Sequence, residues 1–305
     1  MATRKKALKR LSDALGARGR RDEPLALYTN IRIGGAADLL TVCHTTDELV
    51  EAVRLANECA VPWRVLGGGC NVLVADAGFR GLVVINRADR VRIEGDGTVW
   101  AESGAMLSPL ARETVTRGLV GLEWAAGLPG TVGGAVVGNA GAFGGDVASC
   151  MRRATVLEPG GQVVERASEW FEFVYRGSRL KSPQGSAAVV LAATFGLQPG
   201  DPAALTTRVT EILEWRRLRH PHGATMGSTF KNAPDAHAGR LIDGAGLKGY
   251  TIGGAEVSTQ HANFFINTGR ATAADVRALI EHVQREVERR FGVRLEPEIE
   301  LVGEW

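Results

Sequence analysis

The sequence predicts an α+β protein of two domains, and three observations carry that prediction. Short strand signals and scattered helices follow one another irregularly over 305 residues, without the repeated strand–helix–strand spacing of a doubly wound sheet. A chain of this length buries about three-quarters of its unfolded surface and has room for two cores. Residues 121–146, GLEWAAGLPGTVGGAVVGNAGAFGGD, interleave glycine with Leu122, Trp124, Leu128, Val132, Val136, Val137 and Phe143, which marks an ordered segment and not a polar linker.

Taken in order, the chain opens on Arg4, Lys5, Lys6, Lys9, Arg10, Arg18, Arg20 and Arg21, which read as a solvated, frayed basic segment. RIGGAADLL at 32–40 is a turn entering a strand. Thr45 and Glu48 form a capping box for a helix whose Leu49, Ala52, Val53, Ala56 and Ala60 share a face until Pro62. Strands follow at 63–66, 71–74 and 82–86, then a hairpin in which Gly95-Asp96-Gly97 joins VRIE to TVWAE. Ser108 caps a helix with Pro109 in its first turn, and Gly118 ends it. Beyond the glycine-rich stretch, ATVLE and QVVER flank Pro159-Gly160-Gly161 as a second hairpin, and residues 188–197 form a buried strand. A domain boundary is expected at 197–202. Asp201 and Pro202 start a helix with Leu205, Val209, Ile212 and Leu213 on one face; Arg216, Arg217 and Arg219 in its last turn complement the helix dipole. Residues 223–234 read as loop and 257–267 as one strand. The clearest helix covers 272–291, with Val276, Leu279, Ile280, Val283, Val287 and Phe291 in one stripe. In the last strand, 293–302, Val293, Leu295, Pro297, Ile299 and Leu301 alternate with Arg294, Glu296, Glu298 and Glu300.

Apolar content of 45%, 23% charged residues and a net charge of +2 are ordinary for a soluble globular protein and imply no general affinity for nucleic acid. No apolar run approaches the roughly 18 residues of a membrane span. No apolar core follows the N-terminal basic residues, so a secretory signal is not expected. Cys43, Cys59, Cys70 and Cys150 lack C-x-x-C spacing, which argues against a zinc site or disulfide framework and fits a reducing cytosol. An ordinary thiol at Cys70 is the simpler reading than a reactive one.

Glycine lets the backbone take positive φ and approach a ligand, and adjacent bare N–H groups make a concavity for phosphate oxygens. Residues 121–146 therefore read either as an ordered loop around a diphosphate-bearing ligand, with the Asn139 amide as a further partner, or as a glycine-rich turn between short strands. Leu66-Gly67-Gly68-Gly69-Cys70-Asn71 is a second glycine loop, between two strands; two such loops can grip one extended dinucleotide. GAGLKG at 244–249 matches G-x-G-x-x-G, but YTIGG follows where a helix is required, so a Rossmann reading is set aside. Arg176 offers a fixed fork of donors to an anion or is simply a surface arginine. Ser228 lies in a loop without a G-x-S-x-G elbow, and Glu298 sits on a polar strand face where a solvated carboxylate is the plain reading. His220, His222, His237 and His261 show no metal-ligand spacing, and no metal is expected.

The segments RIGGAAD (32–38), LGGGCNVLVAD (66–76), GLEWAAGLPGTVGGAVVGNAGAFGG (121–145), YRGS (175–178), GSTFKN (227–232), AGRLIDGAGLKG (238–249), VSTQHANFFIN (257–267) and LEPEIELVG (295–303) together resemble the bacterial UDP-N-acetylenolpyruvoylglucosamine reductase family. They span nearly the whole chain after residue 28, in family order. Asn30, Ile31, Cys70 and Ala233 depart from the family's usual residues.

The resemblance implies a basic N-terminal segment over 1–27, an FAD-binding domain of the vanillyl-alcohol-oxidase type with two small α+β subdomains over 28–199, and an α+β substrate domain over 200–305. It implies bound FAD, with Gly67, Gly68, Gly69, Cys70, Asn71, Gly127, Gly130, Thr131, Gly134, Asn139 and Gly141 as its contacts. NADPH is the implied co-substrate and a UDP-sugar enolpyruvate the substrate. Arg176, Ser228 and Glu298 match the catalytic positions; Tyr175 is a substrate-binding residue beside Arg176, and Arg216, Asn232, Arg240 and His261 are candidates for the nucleotide site by their proximity to matched motifs. The short segment after Ser178 suggests the class without an extra tyrosine-bearing loop. A cytoplasmic monomer of peptidoglycan precursor synthesis, with neither nucleic acid nor membrane as partner, is the expectation. An FAD oxidase on the same fold and a non-catalytic nucleotide-binding module are the alternatives.

Overall fold

The computed structural model describes residues 2–182, 187–233 and 235–305. Pro234, read as the end of a loop, and residues 183–186, in the short segment after Ser178, lie outside the described residues. The chain divides into two compact units. One comprises Met1–Gly19, Thr41–Gly68 and Val83–Arg216; the other comprises Arg20–Leu40, Gly69–Leu82 and Arg217–Trp305.

The first unit is built on an antiparallel sheet with strands in the order Val163–Ala167, Met151–Leu157, Val189–Gly196, Thr98–Glu102 and Val91–Ile93. Its central strand, VVLAATF with Thr194 as its one polar residue, is buried along its length, as expected of a strand covered on both faces. The helix Val132–Gly138 packs against that strand, and Val99, Leu110, Trp124, Val136, Met151, Phe171 and Phe195 join in one core. Each such side chain contributes about 1.5–3 kcal/mol on burial.

Three local expectations need correction here. The basic N-terminus is a helix, Ala2–Leu15, anchored by Leu11 and Leu15, which are 0% and 2% exposed, and packed on the helix Thr46–Glu58. Its i, i+4 leucine pair was masked by the charges on the other faces. The capping box is displaced by one residue: Thr45 accepts from the Glu48 N–H at 3.2 Å, but the Glu48 carboxylate accepts from the N–H of His44 at 2.7 Å. Ser108 caps nothing. The helix Leu107–Thr116 starts at Met106 without a side-chain cap, and the Ser108 hydroxyl instead accepts from the Gly127 N–H at 2.7 Å.

The second unit holds an antiparallel sheet ordered Ala224–Ser228, Phe264–Asn267, Ala255–Val257 and Thr251–Ile252, and the helix Ala273–Phe291 lays its apolar stripe on it. That helix has a full capping box of Thr272 and Asp275 and ends at Gly292 in the left-handed region. Asp76 reinforces its start, accepting from the N–H groups of Ala273 and Ala274 at 2.8 and 2.9 Å, which explains the aspartate closing the LGGGCNVLVAD motif.

Residues 224–228, read as loop because of Gly223 and Gly227, form a strand whose Thr225 and Met226 are buried. The single strand expected over 257–267 is two strands joined by a turn, in which the Ser258 hydroxyl accepts from the N–H groups of Gln260 and His261. The last strand shrinks to Glu300–Val302, parallel to Val72–Val74. Pro297 has no N–H to give a ladder, and the alternation changes phase, leaving Leu301 exposed and Val302 buried.

Candidate active site

The glycine-rich stretch is not wholly a loop. Thr131 caps the short helix Val132–Gly138, accepting from the Gly134 N–H. The segment before it is zipped to residues 103–107, with Gly130 O accepting from Leu107 N–H at 3.0 Å, Ala105 O from Val132 N–H at 2.9 Å and Ser103 O from Gly133 N–H at 2.8 Å. The two glycine loops meet at Gly67 and Thr131: a Cβ on Gly67 would lie 2.2 Å from the Thr131 hydroxyl.

The glycines fall into two groups. Gly133 and Gly141 are required by packing, since a Cβ would meet Ser103 at 2.8 Å or the Gly145 carbonyl at 2.8 Å. Gly130, at φ +116, faces open space with nothing within 4 Å, and Gly134 and Gly138 meet only Thr131 Oγ1 at 3.6 Å and Lys181 Nζ at 3.8 Å. Gly130, Gly134 and Gly138 thus leave bare backbone with room for a ligand, in reach of a lysine. That space, with the Lys181 ammonium at its edge, fits the close approach of the diphosphate of a flavin dinucleotide.

Asn139 takes the left-handed cap position (φ +42) and is 5% exposed. Its Oδ1 accepts from the Ala148 N–H at 3.0 Å and its Nδ2 donates to Val174 O at 3.1 Å. It thereby pins the turn that carries Tyr175 and Arg176, which is closed by mutual backbone bonds between Val174 and Gly177 at 3.0 and 3.1 Å. Ser178 donates to Val137 O at 2.7 Å and Lys181 donates to Arg176 O at 3.3 Å, so the turn is braced from both ends. Arg176 sits at φ +56, and its guanidinium lies 5.4 Å from the centroid of the exposed Tyr175 ring. The bracing holds Arg176 in a left-handed conformation uncommon for a non-glycine residue.

Ser228 and Glu298 belong to the second unit and share one piece of scaffold. Glu298 N–H donates to Thr229 O at 2.8 Å and Lys231 N–H to Glu296 O at 2.9 Å, so the two segments run side by side. Asn263 locks the serine side of this ladder. Its carbonyl accepts from Thr229 N–H at 2.7 Å, and its buried side-chain amide spans Phe230, accepting from its N–H at 2.9 Å and donating to its carbonyl at 2.8 Å. The Asn71 amide donates to Glu298 O at 3.1 Å, which gives that glycine-loop residue a bracing contact. Gly69, at φ +62, passes so close to Tyr28 O that a Cβ would lie 2.0 Å away, and Cys70 beside it is half-buried.

Asn232, Arg240 and His261 gather round the helix Ala238–Gly244. Asn232 Oδ1 accepts from the Ala238 N–H at 3.0 Å, Arg240 is exposed on the helix, and His261 Cε1 lies 3.1 Å from the Cβ position of Gly239. His261 Nδ1 accepts from Asn263 N–H at 3.3 Å, and burial holds its imidazole below the usual histidine value. Two residues escaped the sequence reading. Asn263 lies mid-motif with no signal of its own. Phe143 read as one more apolar anchor, although it takes φ +50, uncommon for an aromatic residue.

Residues 37–166 match the FAD binding domain family, and residues 219–302 match the family described as UDP-N-acetylenolpyruvoylglucosamine reductase, C-terminal domain. The UDP-N-acetylenolpyruvoylglucosamine reductase of Rubrobacter xylanophilus is 47% identical over 285 residues, covering 93% of this chain and 95% of its own. The reductase of the same description from Synechococcus sp. RCC307 is 44% identical over 293 residues, covering 93% and 94%. The crystal structure of UDP-N-acetylenolpyruvylglucosamine reductase from Thermus caldophilus matches with a TM-score of 0.80 at 33% identity, over 93% of this chain and 99% of that one. Phl p 4.0202, a glucose dehydrogenase, matches 70% of this chain and 50% of its own at a TM-score of 0.50 and 17% identity, a likeness of fold alone.

Proposed function

The chain belongs to the UDP-N-acetylenolpyruvoylglucosamine reductase family, and on that premise we propose that it reduces the enolpyruvyl ether of UDP-N-acetylglucosamine enolpyruvate to UDP-N-acetylmuramate, with NADPH as reductant, in cytoplasmic peptidoglycan precursor synthesis. It is an FAD-binding oxidoreductase of that family. The observation that most supports the specific reaction is the bracing of the three motif residues: Arg176 on a turn pinned by Asn139, and Ser228 and Glu298 on one ladder locked by Asn263.

Gly67, Gly130, Thr131, Gly134 and the bare face ending at Gly138 would hold the FAD diphosphate. When bound, the flavin supplies hydride transfer from the nicotinamide to the methylene carbon of the enolpyruvyl group. Arg176 binds the substrate carboxylate and offsets the negative charge that develops toward it, the preorganised electrostatics that usually dominates such catalysis. Glu298 is the acid beside that carboxylate. Ser228 delivers the final proton to the adjacent carbon; a hydroxyl is a weak acid, but a carbanion-like carbon is a strong base. Asn232, Arg240 and His261 are assigned to the UDP-sugar, and Tyr175 to the substrate beside Arg176.

Ser228→Ala tests this assignment. The variant keeps its flavin and is still bleached by NADPH, while turnover of the enolpyruvyl nucleotide falls by orders of magnitude. Wild-type turnover in Ser228→Ala excludes the serine as proton donor.

A further inference from the structure

One side chain stands between the Arg176 turn and the open face of the glycine-rich helix. Arg179–Lys181 is a short 3-10 turn packed on the helix Val132–Gly138. Ser178 pins it there: its hydroxyl donates to Val137 O at 2.7 Å and accepts from the Leu180 N–H at 3.3 Å. Leu180 is buried and shares one core with Val132, Ala135 and Val136 of that helix. Lys181, which ends the turn, therefore has a fixed root.

Its ammonium reaches in two directions. It donates to the Arg176 carbonyl at 3.3 Å. It also lies 3.8 Å from the Cβ position of Gly138, with Cε at 4.0 Å; apart from the helix itself and the glycine's chain neighbours, no other described atom comes within 4 Å of that position. Gly134 and Gly138 are four residues apart and so lie on the same face of the helix. Lys181 thus stands over the far end of the face that leaves room for a diphosphate. That end is the helix C-terminus, where the dipole is negative and amides no longer point at a ligand. An oxyanion is acceptable there only beside a cation, and an ammonium has three donors, enough for the Arg176 carbonyl and a phosphate oxygen together.

We propose that Lys181 binds an oxygen of the FAD diphosphate over the Gly134–Gly138 face and, through the Arg176 carbonyl, positions the arginine turn, so that the bound cofactor steadies the residue that receives the substrate carboxylate. The plainer role of such a lysine, complementing a helix end and bracing a turn, leaves the cofactor untouched. The link to substrate rests on the function proposed above; the cofactor contact and the ordering of the turn do not.

Lys181→Met and Lys181→Arg holoenzymes are compared with wild type, with Arg179→Met as the control. Arg179 is a cation on the same turn, but its guanidinium pairs with Glu172 and lies 5.0 Å from the Trp170 ring centroid. FAD dissociation is read from the return of free-flavin fluorescence on serial dilution at low and high ionic strength. Lys181→Met raises the FAD dissociation constant by about 10- to 150-fold, the loss of one charge-assisted hydrogen bond. The gap from wild type narrows as salt screens the wild-type contact. Lys181→Arg, which keeps the charge, recovers most of the affinity, and Arg179→Met stays near wild type. Amide hydrogen exchange follows Gly177, whose N–H donates to Val174 O at 3.1 Å. In the wild type it is slower with FAD in excess than after dilution has released the flavin; in Lys181→Met the two are alike. With FAD in excess, Lys181→Met still shows a raised KM for the enolpyruvyl nucleotide. Wild-type FAD dissociation in Lys181→Met, or equal weakening in Arg179→Met, overturns the cofactor contact. Gly177 exchange in Lys181→Met that still slows with FAD overturns the positioning role. A wild type that shows the FAD and exchange effects but is inert toward the nucleotide removes the proposed substrate and supports the lysine's role.

Discussion

Gly134→Ala separates what the fold needs from what the cofactor needs. Gly134 lies in the first turn of the helix Val132–Gly138, and a Cβ there meets only Thr131 Oγ1, at an ordinary contact distance of 3.6 Å. Alanine is a better helix former than glycine by about 0.5–1 kcal/mol, so flavin-free Gly134→Ala should unfold at the wild-type temperature or about 1–2 °C above it. The new methyl group points into the space that the bare backbone leaves open. If a diphosphate oxygen sits there, it is pushed off at least one charge-assisted backbone hydrogen bond. That costs about 1.5–3 kcal/mol, or about 10- to 150-fold in the FAD dissociation constant. The assay is titration of flavin-free protein with FAD, followed by quenching of flavin fluorescence, beside a thermal melt without FAD. Gly133→Ala is the control: its Cβ would lie 2.8 Å from Ser103 Cβ and 3.1 Å from Ser103 O. That overpacking destabilises the protein by about 1–3 kcal/mol with or without flavin. Wild-type FAD affinity in Gly134→Ala refutes the reasoning, because the diphosphate then does not approach this face of the helix.

Asn139→Ala strands the Ala148 N–H and the Val174 carbonyl and places alanine at φ +42; it should destabilise the protein by about 2–4 kcal/mol in denaturant titration and lower kcat/KM through the Arg176 turn. Burial lowers the His261 pKa in the folded protein, so the unfolded chain takes up the proton first as pH falls below the ordinary histidine value near 6.5. Stability is therefore fully present above that value and is lost on acidification toward the lower folded pKa, and His261→Gln should flatten this part of the melting-temperature profile. Burial pushes Cys43 and Cys150 up to about 12, so mass spectrometry after iodoacetamide treatment of native protein at pH 8 should find both unmodified.

What the sequence revealed and what it hid follow the range of the interactions. The helix Ala273–Phe291 was legible because its stripe, cap and terminal glycine are all local signals. The central strand Val189–Gly196 was legible because burial on both faces leaves an almost wholly apolar run. Ser108 misled because a serine before a proline looks like a cap, whereas its hydroxyl serves the distant Gly127. The strand ending at Ser228 was hidden by Gly223 and Gly227, since the partners that make it a strand, Phe264 and Ile266, lie some 40 residues on. At the site, Arg176, Ser228 and Glu298 were found through their motifs, but nothing local distinguishes Asn263 from any other asparagine or Phe143 from any other core aromatic. Their roles exist only as contacts with Phe230 and Arg216.

The most direct test of the account is an anaerobic assay of the purified yellow protein with NADPH, with and without the enolpyruvyl nucleotide. The account predicts one equivalent of NADPH bleaching the flavin, return of the yellow colour only on adding the nucleotide, and one UDP-N-acetylmuramate formed per NADPH consumed. A flavin that stays bleached with the nucleotide and recovers only when oxygen is admitted would contradict it, and would make the protein an oxidase on the same fold.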